Sequence, residues 1–141
     1  MFKLKRELSF KVKRGSLFNL RPHLYLYVGS AFNSGGLKSR LLRHLKKDKK
    51  LHWHLDFITS SSSFYPISVY LFAEKRIECE LARELLKDFD FVPLFGSSDC
   101  NCPSHLFLID NLLKLDSICK NFGATISQIE RTERGWTLKR L

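Results

Sequence analysis

Residues 37–47 constrain the fold more than any other stretch of the chain. Leu37, Leu41, Leu42 and Leu45 fall within one arc at about 100° per residue. The segment therefore reads as an amphipathic helix that must lay its apolar side on a partner surface. Residues 74–87 repeat the pattern with Ile77, Leu81, Ala82, Leu85 and Leu86, which predicts a second such helix.

Short runs of strand character supply the partner surface. Phe2, Leu4, Leu8, Phe10 and Val12 alternate with charged neighbours, as expected of two short strands or one bulged strand. Gly15 marks a turn, 17–20 reads as a further strand, and Pro22 breaks the chain. Leu24 to Val28 is a strand with Tyr25 and Tyr27 on one face, because side chains alternate with period two. A loop follows through Gly29, Ser30, Asn33, Ser34, Gly35 and Gly36. Strands are also expected at 52–58 and 67–72 around a Ser-rich loop, 60–63, and at 105–109. A helix is expected over 111–120, and 125–129 with 136–139 reads as a hairpin across Glu133-Arg134-Gly135. Strands interleaved with helices in a chain of 141 residues predict one α+β domain with one core. That core is expected in 1–110, with 111–141 a C-terminal extension packed on it. No apolar run approaches the roughly 20 residues of a membrane-spanning helix, and no signal-peptide core follows the N-terminus, so a cytoplasmic protein is expected.

Charge is placed unevenly. The formal net charge is +10, and residues 1–50 hold 14 Lys or Arg against only Glu7 and Asp48. Residues 51–141 hold 10 basic and 12 acidic side chains, so the whole excess lies in the first third. Such concentration is the electrostatic footprint of a protein that meets a polyanion. A solvated surface is the competing reading. No basic amphipathic helix carries the aromatic face that membrane-surface binding would use.

Three residues stand out on pattern alone. Glu78 lies near the middle of the apolar arc of its helix, where a carboxylate is costly unless paired, protonated or metal-bound. Arg40 and His44 sit one turn apart at the edge of the first helix's apolar arc. Arginine binds phosphate oxygens through its planar fork, and histidine titrates near neutrality. A structurally paired Glu and two ordinary surface residues are the alternatives.

Tyr27-Val28-Gly29-Ser30-Ala31, with Arg40 and His44 following in the next helix and Glu78 opening Glu78-Cys79-Glu80-Leu81-Ala82, resembles the GIY-YIG nuclease superfamily. The blocks His52-Trp53-His54-Leu55-Asp56 and Phe95 to Phe107 resemble a small stand-alone branch of it. The resemblance covers roughly 1–107 and implies a mainly antiparallel central sheet flanked by helices. It also implies a metal-dependent endonuclease acting on nucleic acid, DNA rather than RNA, in repair or recombination. Glu78 would hold one Mg²⁺ or Mn²⁺, Arg40 would stabilise developing charge, and Tyr27 or His44 would be the general base. Arg43, Lys46, Lys47, Lys49 and Lys50 would track the phosphate backbone. The superfamily's first-strand tyrosine is absent, with Phe2 nearest to its place, and Tyr25 is the candidate stand-in. That departure keeps two alternatives open: a nucleic-acid-binding module with weak or lost turnover, and a basic protein-interaction domain.

The 4 cysteines do not form a disulfide framework. Cys100, Cys102 and His105, with His52 and His54 on a presumed strand face, can supply zinc ligands. Cys-x-Cys is a poor zinc spacing, so zinc is the less favoured reading. The competing one is a hydrogen-bonded wall in which Asp56 and Asp99 orient the imidazoles.

Overall fold

The computed structural model describes residues 1–12, 15–30, 36–72, 76–97 and 100–139. Its elements in chain order are β1 (Phe2–Leu4), β2 (Leu8–Lys11), β3 (Leu17–Leu20), β4 (His23–Tyr27), α1 (Gly36–Leu45), α2 (His54–Thr59) and β5 (Phe64–Pro66). Then come β6 (Ser68–Leu71), α3 (Glu78–Leu86), β7 (Asp90–Phe91), β8 (Leu106–Leu108), α4 (Leu112–Asn121), β9 (Thr125–Thr132) and β10 (Gly135–Leu138). Ala31, Asn33, Ser34 and Gly35 of the expected loop, the expected start of the second helix at Glu74, and Asp99 lie outside the described residues.

The fold is α+β. A five-stranded antiparallel sheet runs β5-β1-β4-β8-β7, with β4 in its centre. Both faces of that sheet are covered, which is why its inner strands are apolar at successive positions rather than at alternate ones. Tyr25, Leu106 and Leu108 point into one core with Phe2, Leu4, Leu45, Leu55, Ile58 and Phe95. Leu26, Val28, Phe107 and Ile109 point into the other, closed by Leu81, Ala82 and Leu85 of α3 and by Leu115 and Cys119 of α4. The β2–β3 hairpin adds Phe10 and Phe18, whose rings meet Phe57 at 5.1 Å and Phe95 at 5.2 Å. Residues 2–12 are thus two strands in different sheets. The expected C-terminal hairpin forms as β9–β10, and β9 also pairs with β6 in a three-stranded sheet.

One element differs in kind from its sequence reading. Residues 52–58 were expected as a strand; the chain there forms helix α2. Trp53, Leu55 and Phe57 mimic a period of two, but Leu55 and Ile58, three apart, are the buried pair. The Asp56 carboxylate accepts the backbone N–H groups of His52 and Trp53, both at 2.8 Å, and so closes the helix start.

Asp56 does more than cap. It is wholly buried, and its two oxygens accept from Arg43 Nη1 at 2.9 Å and Nη2 at 3.1 Å. Burial pushes its carboxyl up, but the Arg43 guanidinium and the two N–H groups outweigh that and bring it to about 2. Lys49, whose side chain is 5% exposed, sits 4.0 Å away and donates to His44 O and Thr59 Oγ1. Asp56 thereby ties the C-terminal turn of α1 to α2. Asp56→Asn keeps the shape and removes the charge, leaving both cations uncompensated. A loss of about 2–4 kcal/mol in urea-unfolding stability is expected; an unchanged midpoint would contradict the role given to Asp56.

Candidate functional site

Helix α1 packs on β10 and α2 and borders a cavity of about 520 Å³. Its floor and walls are apolar, with Phe2, Leu26, Leu41, Ile77 and Leu81 among them. Polar groups reach it from several elements, among them Thr59 of α2 and Ser68 and Tyr70 of β6. Tyr27, Gly29 and Ser30 come from the end of β4, Arg40 and His44 from α1, and Glu78 from the first residue of α3. Glu78 is the acidic side chain of this lining. It is half-buried in the first turn of its helix, where the positive end of the helix dipole favours a carboxylate, rather than deep in the stripe.

Neighbouring groups hold each polar residue in place. The Tyr27 ring lies between two glycines: a Cβ on Gly29 or Gly96 would come within 2.9 Å of the ring. Gly96 also has φ +68°, a left-handed conformation that disfavours other residues. The Arg40 guanidinium lies over the Trp53 ring, 5.1 Å from its centroid. His44 Nδ1 faces Asp56 Oδ1 at 3.7 Å without a hydrogen bond. Burial, then the charge of Lys49, lowers His44 to about 4, so the ring is neutral at pH 7 and the contact is not an ion pair there.

A second constellation adjoins the first. The ligand atoms of Cys79, Cys100, Cys102 and His105 lie within 4.8 Å of one another. Cys79 follows Glu78 directly in α3; the other three come from the loop entering β8. His105 Nδ1 is 3.0 Å from the Val28 carbonyl, so Nδ1–H donates there and Nε2 is left to face Cys100 Sγ at 3.2 Å. Val28 N in turn donates to His105 O at 2.9 Å. Burial, then hydrogen bonds with Cys79 and Cys100, pushes the Cys102 thiol up to about 12. This cluster can hold a metal ion.

Several sequence-predicted residues lie elsewhere. Tyr25 is 1% exposed, stacks on Phe2 at 5.6 Å and donates its hydroxyl to Arg21 O at 2.7 Å. It belongs to the core and is not among the residues that line the cavity. Arg43 and Lys49 are committed to Asp56 and its surroundings, whereas Lys46, Lys47 and Lys50 are exposed. His52 packs edge-on to Trp53, and His54 Nδ1 accepts from Gly96 N at 3.0 Å. Neither joins the cysteines, since α2 turns them away from a shared strand face. Their place as fourth ligand falls to Cys79, which the sequence hides behind a separation of 21 residues from Cys100. The imidazole-orienting role expected of Asp56 is replaced by the capping and pairing described above.

The chain belongs to the family described as Domain of unknown function DUF123, whose model matches residues 1–128. No curated protein and no solved structure matches it. No helix among the described residues is long and apolar enough to cross a membrane.

The lowered His44 value has a consequence for stability. The unfolded chain binds this proton more tightly than the folded one, so the contribution is complete above the ordinary value of 6.5 and is lost as pH falls toward 4. Unfolding free energy should drop by roughly 2–3 kcal/mol over that interval from this residue. His44→Asn should flatten the slope; identical pH profiles for the two proteins would contradict the assignment.

Proposed function

We propose that this chain hydrolyses phosphodiester bonds in nucleic acid, with Glu78, Arg40, His44 and Tyr27 as its reacting groups. The observation behind the reading is their convergence on one cavity from three separate elements. The resemblance of the same residues to the GIY-YIG nuclease motifs supports it, as does the basic first third of the chain. DNA is the expected substrate, and repair or recombination the expected setting.

Glu78 is the one carboxylate of the cavity lining among the described residues, and a single half-buried carboxylate fits a hard divalent ion that keeps most of its waters, so Glu78 would hold Mg²⁺ or Mn²⁺. Such an ion supplies Lewis-acid stabilisation of the leaving oxygen. Arg40, held by Trp53, donates to the nonbridging oxygens, where negative charge grows. His44 is neutral at pH 7. It borders the cavity, so an unprotonated ring nitrogen would accept a proton from the attacking water. Tyr27, pinned between its glycines, borders the same space. Phe2 on the cavity wall favours a second reading, in which binding is kept and turnover is weak.

The cysteine cluster supports zinc as its metal. Tetrahedral zinc with sulfur at about 2.3 Å and nitrogen at about 2.0 Å sets ligand atoms about 3.5–3.8 Å apart, so the four atoms, now within 4.8 Å of one another, would draw in by up to about 1 Å around it. The ion would be structural, fixing the start of α3, and with it Glu78, to the end of β4.

Two measurements test these statements. Arg40→Ala and Glu78→Ala should each cut Mg²⁺- or Mn²⁺-dependent cleavage of labelled DNA about 10²–10³-fold. Equal cleavage by all three proteins would expose a contaminant and end the nuclease reading; binding without cleavage by the native protein selects the second one. Elemental analysis of tag-free protein should find close to one zinc per chain, falling in Cys102→Ser; under about a tenth of an equivalent rejects zinc.

A further inference from the structure

The C-terminal hairpin and the start of the chain build a groove of about 620 Å³ that the reacting groups do not use. Leu45 and Phe64 line both this groove and the cavity, so the two adjoin at the end of α1. Arg40 and His44 serve one side of that helix end; Lys46 and Lys47, just beyond it, serve the other. From the opposite wall come Arg131 and Arg134 of the β9–β10 hairpin, and Lys5 comes from the turn after β1. All five cations are exposed, and Asp48 is the acidic residue among them.

Two aromatic rings stand between these charges. Tyr65, 40% exposed, meets Trp136 edge to face at 5.1 Å. Lys5 lies over the Tyr65 ring at 4.8 Å, and Arg131, directly across the strand pair from Trp136, lies over that ring at 5.6 Å. Cations beside half-exposed rings offer both phosphate donors and stacking faces. An acidic peptide needs only the donors, and a duplex keeps its base faces to itself. A single nucleic-acid strand uses both.

We propose that this groove binds single-stranded nucleic acid, with Trp136 and Tyr65 as stacking platforms and Lys5, Lys46, Lys47, Arg131 and Arg134 as phosphate contacts. The site deepens the nuclease reading by assigning its substrate class, a strand with unpaired bases beside the cavity. Its binding is measured apart from turnover.

The test uses fluorescein-labelled oligo(dT) and the full chain without added divalent ion. Trp136→Ala should weaken binding roughly 5- to 100-fold, and Trp136→Phe should recover most of it. Arg131→Gln with Arg134→Gln should reduce the slope of log affinity against log salt by about 1.4, or about 0.7 for each lost contact. Trp53→Phe leaves Trp136 as the sole tryptophan, and saturating oligo(dT) should quench its fluorescence. Unchanged affinity in Trp136→Ala, absent quenching, or polyglutamate binding as tightly as oligo(dT) would overturn the groove. If the groove fails while Arg40→Ala still abolishes cleavage, the nuclease reading stands; Trp136-dependent binding without cleavage leaves the groove standing alone.

Discussion

Asp56 has no exposed surface, yet its carboxylate stays ionised because four groups surround it with positive charge or donors. Arg43 and Lys49 approach from the end of α1 and the turn after it, and the amides of His52 and Trp53 from the start of α2. Helix α1 buries Leu45 alone among its described residues and also packs on β10, so Asp56 supplies the charged tie at its C-terminal end. The position of Arg40 and His44 over the cavity therefore depends on this buried charge. Removing one partner of such a network costs more than the network itself contributes. The same contact places Trp53, which carries the Arg40 guanidinium, so one carboxylate sets both the backbone and a side chain of the site.

The opposite wall is set by a different device. His105 is bonded to Val28 twice, once through its backbone and once through its ring, and Val28 lies between Tyr27 and Gly29. Cys79 stands next to Glu78. The cysteine–histidine cluster therefore touches sequence neighbours of both Glu78 and Tyr27, and its order is transmitted through single peptide units. Gly29 and Gly96 leave the Tyr27 ring room that any Cβ would take. The three walls thus rest on an ion network, a cluster of soft ligands and a pair of glycines.

Much of the fold was legible because periodicity reports burial. The arcs of α1 and α3, the β4 strand and the β9–β10 hairpin follow from it directly. Helix α2 was not legible, since in six residues a period of two and one of 3.6 select overlapping positions, and the cap that decides between them is a side chain three residues into the segment. At the site, Arg40, His44 and Glu78 could be singled out by residue type and spacing, and Tyr27 by the family resemblance alone. Cys79 could not, because only the packing of α3 against the loop before β8 brings it to Cys100. Tyr25 shares a strand face with Tyr27, but face alone does not say where a core ends and a cavity begins. Arg43 and Lys49 look like surface cations in a basic run, and only the buried Asp56 shows otherwise. The groove under the C-terminal hairpin joins residues 5, 65 and 136, a juxtaposition that no local pattern encodes.

The hard divalent ion proposed at Glu78 would lie in the cavity that Arg40 also lines. Anomalous diffraction from crystals soaked in Mn²⁺ addresses it most directly. One manganese peak is expected at coordination distance from the Glu78 carboxylate, facing Arg40, and it should be lost in Glu78→Gln. Manganese bound only elsewhere on the chain, with the cavity holding none, would contradict it.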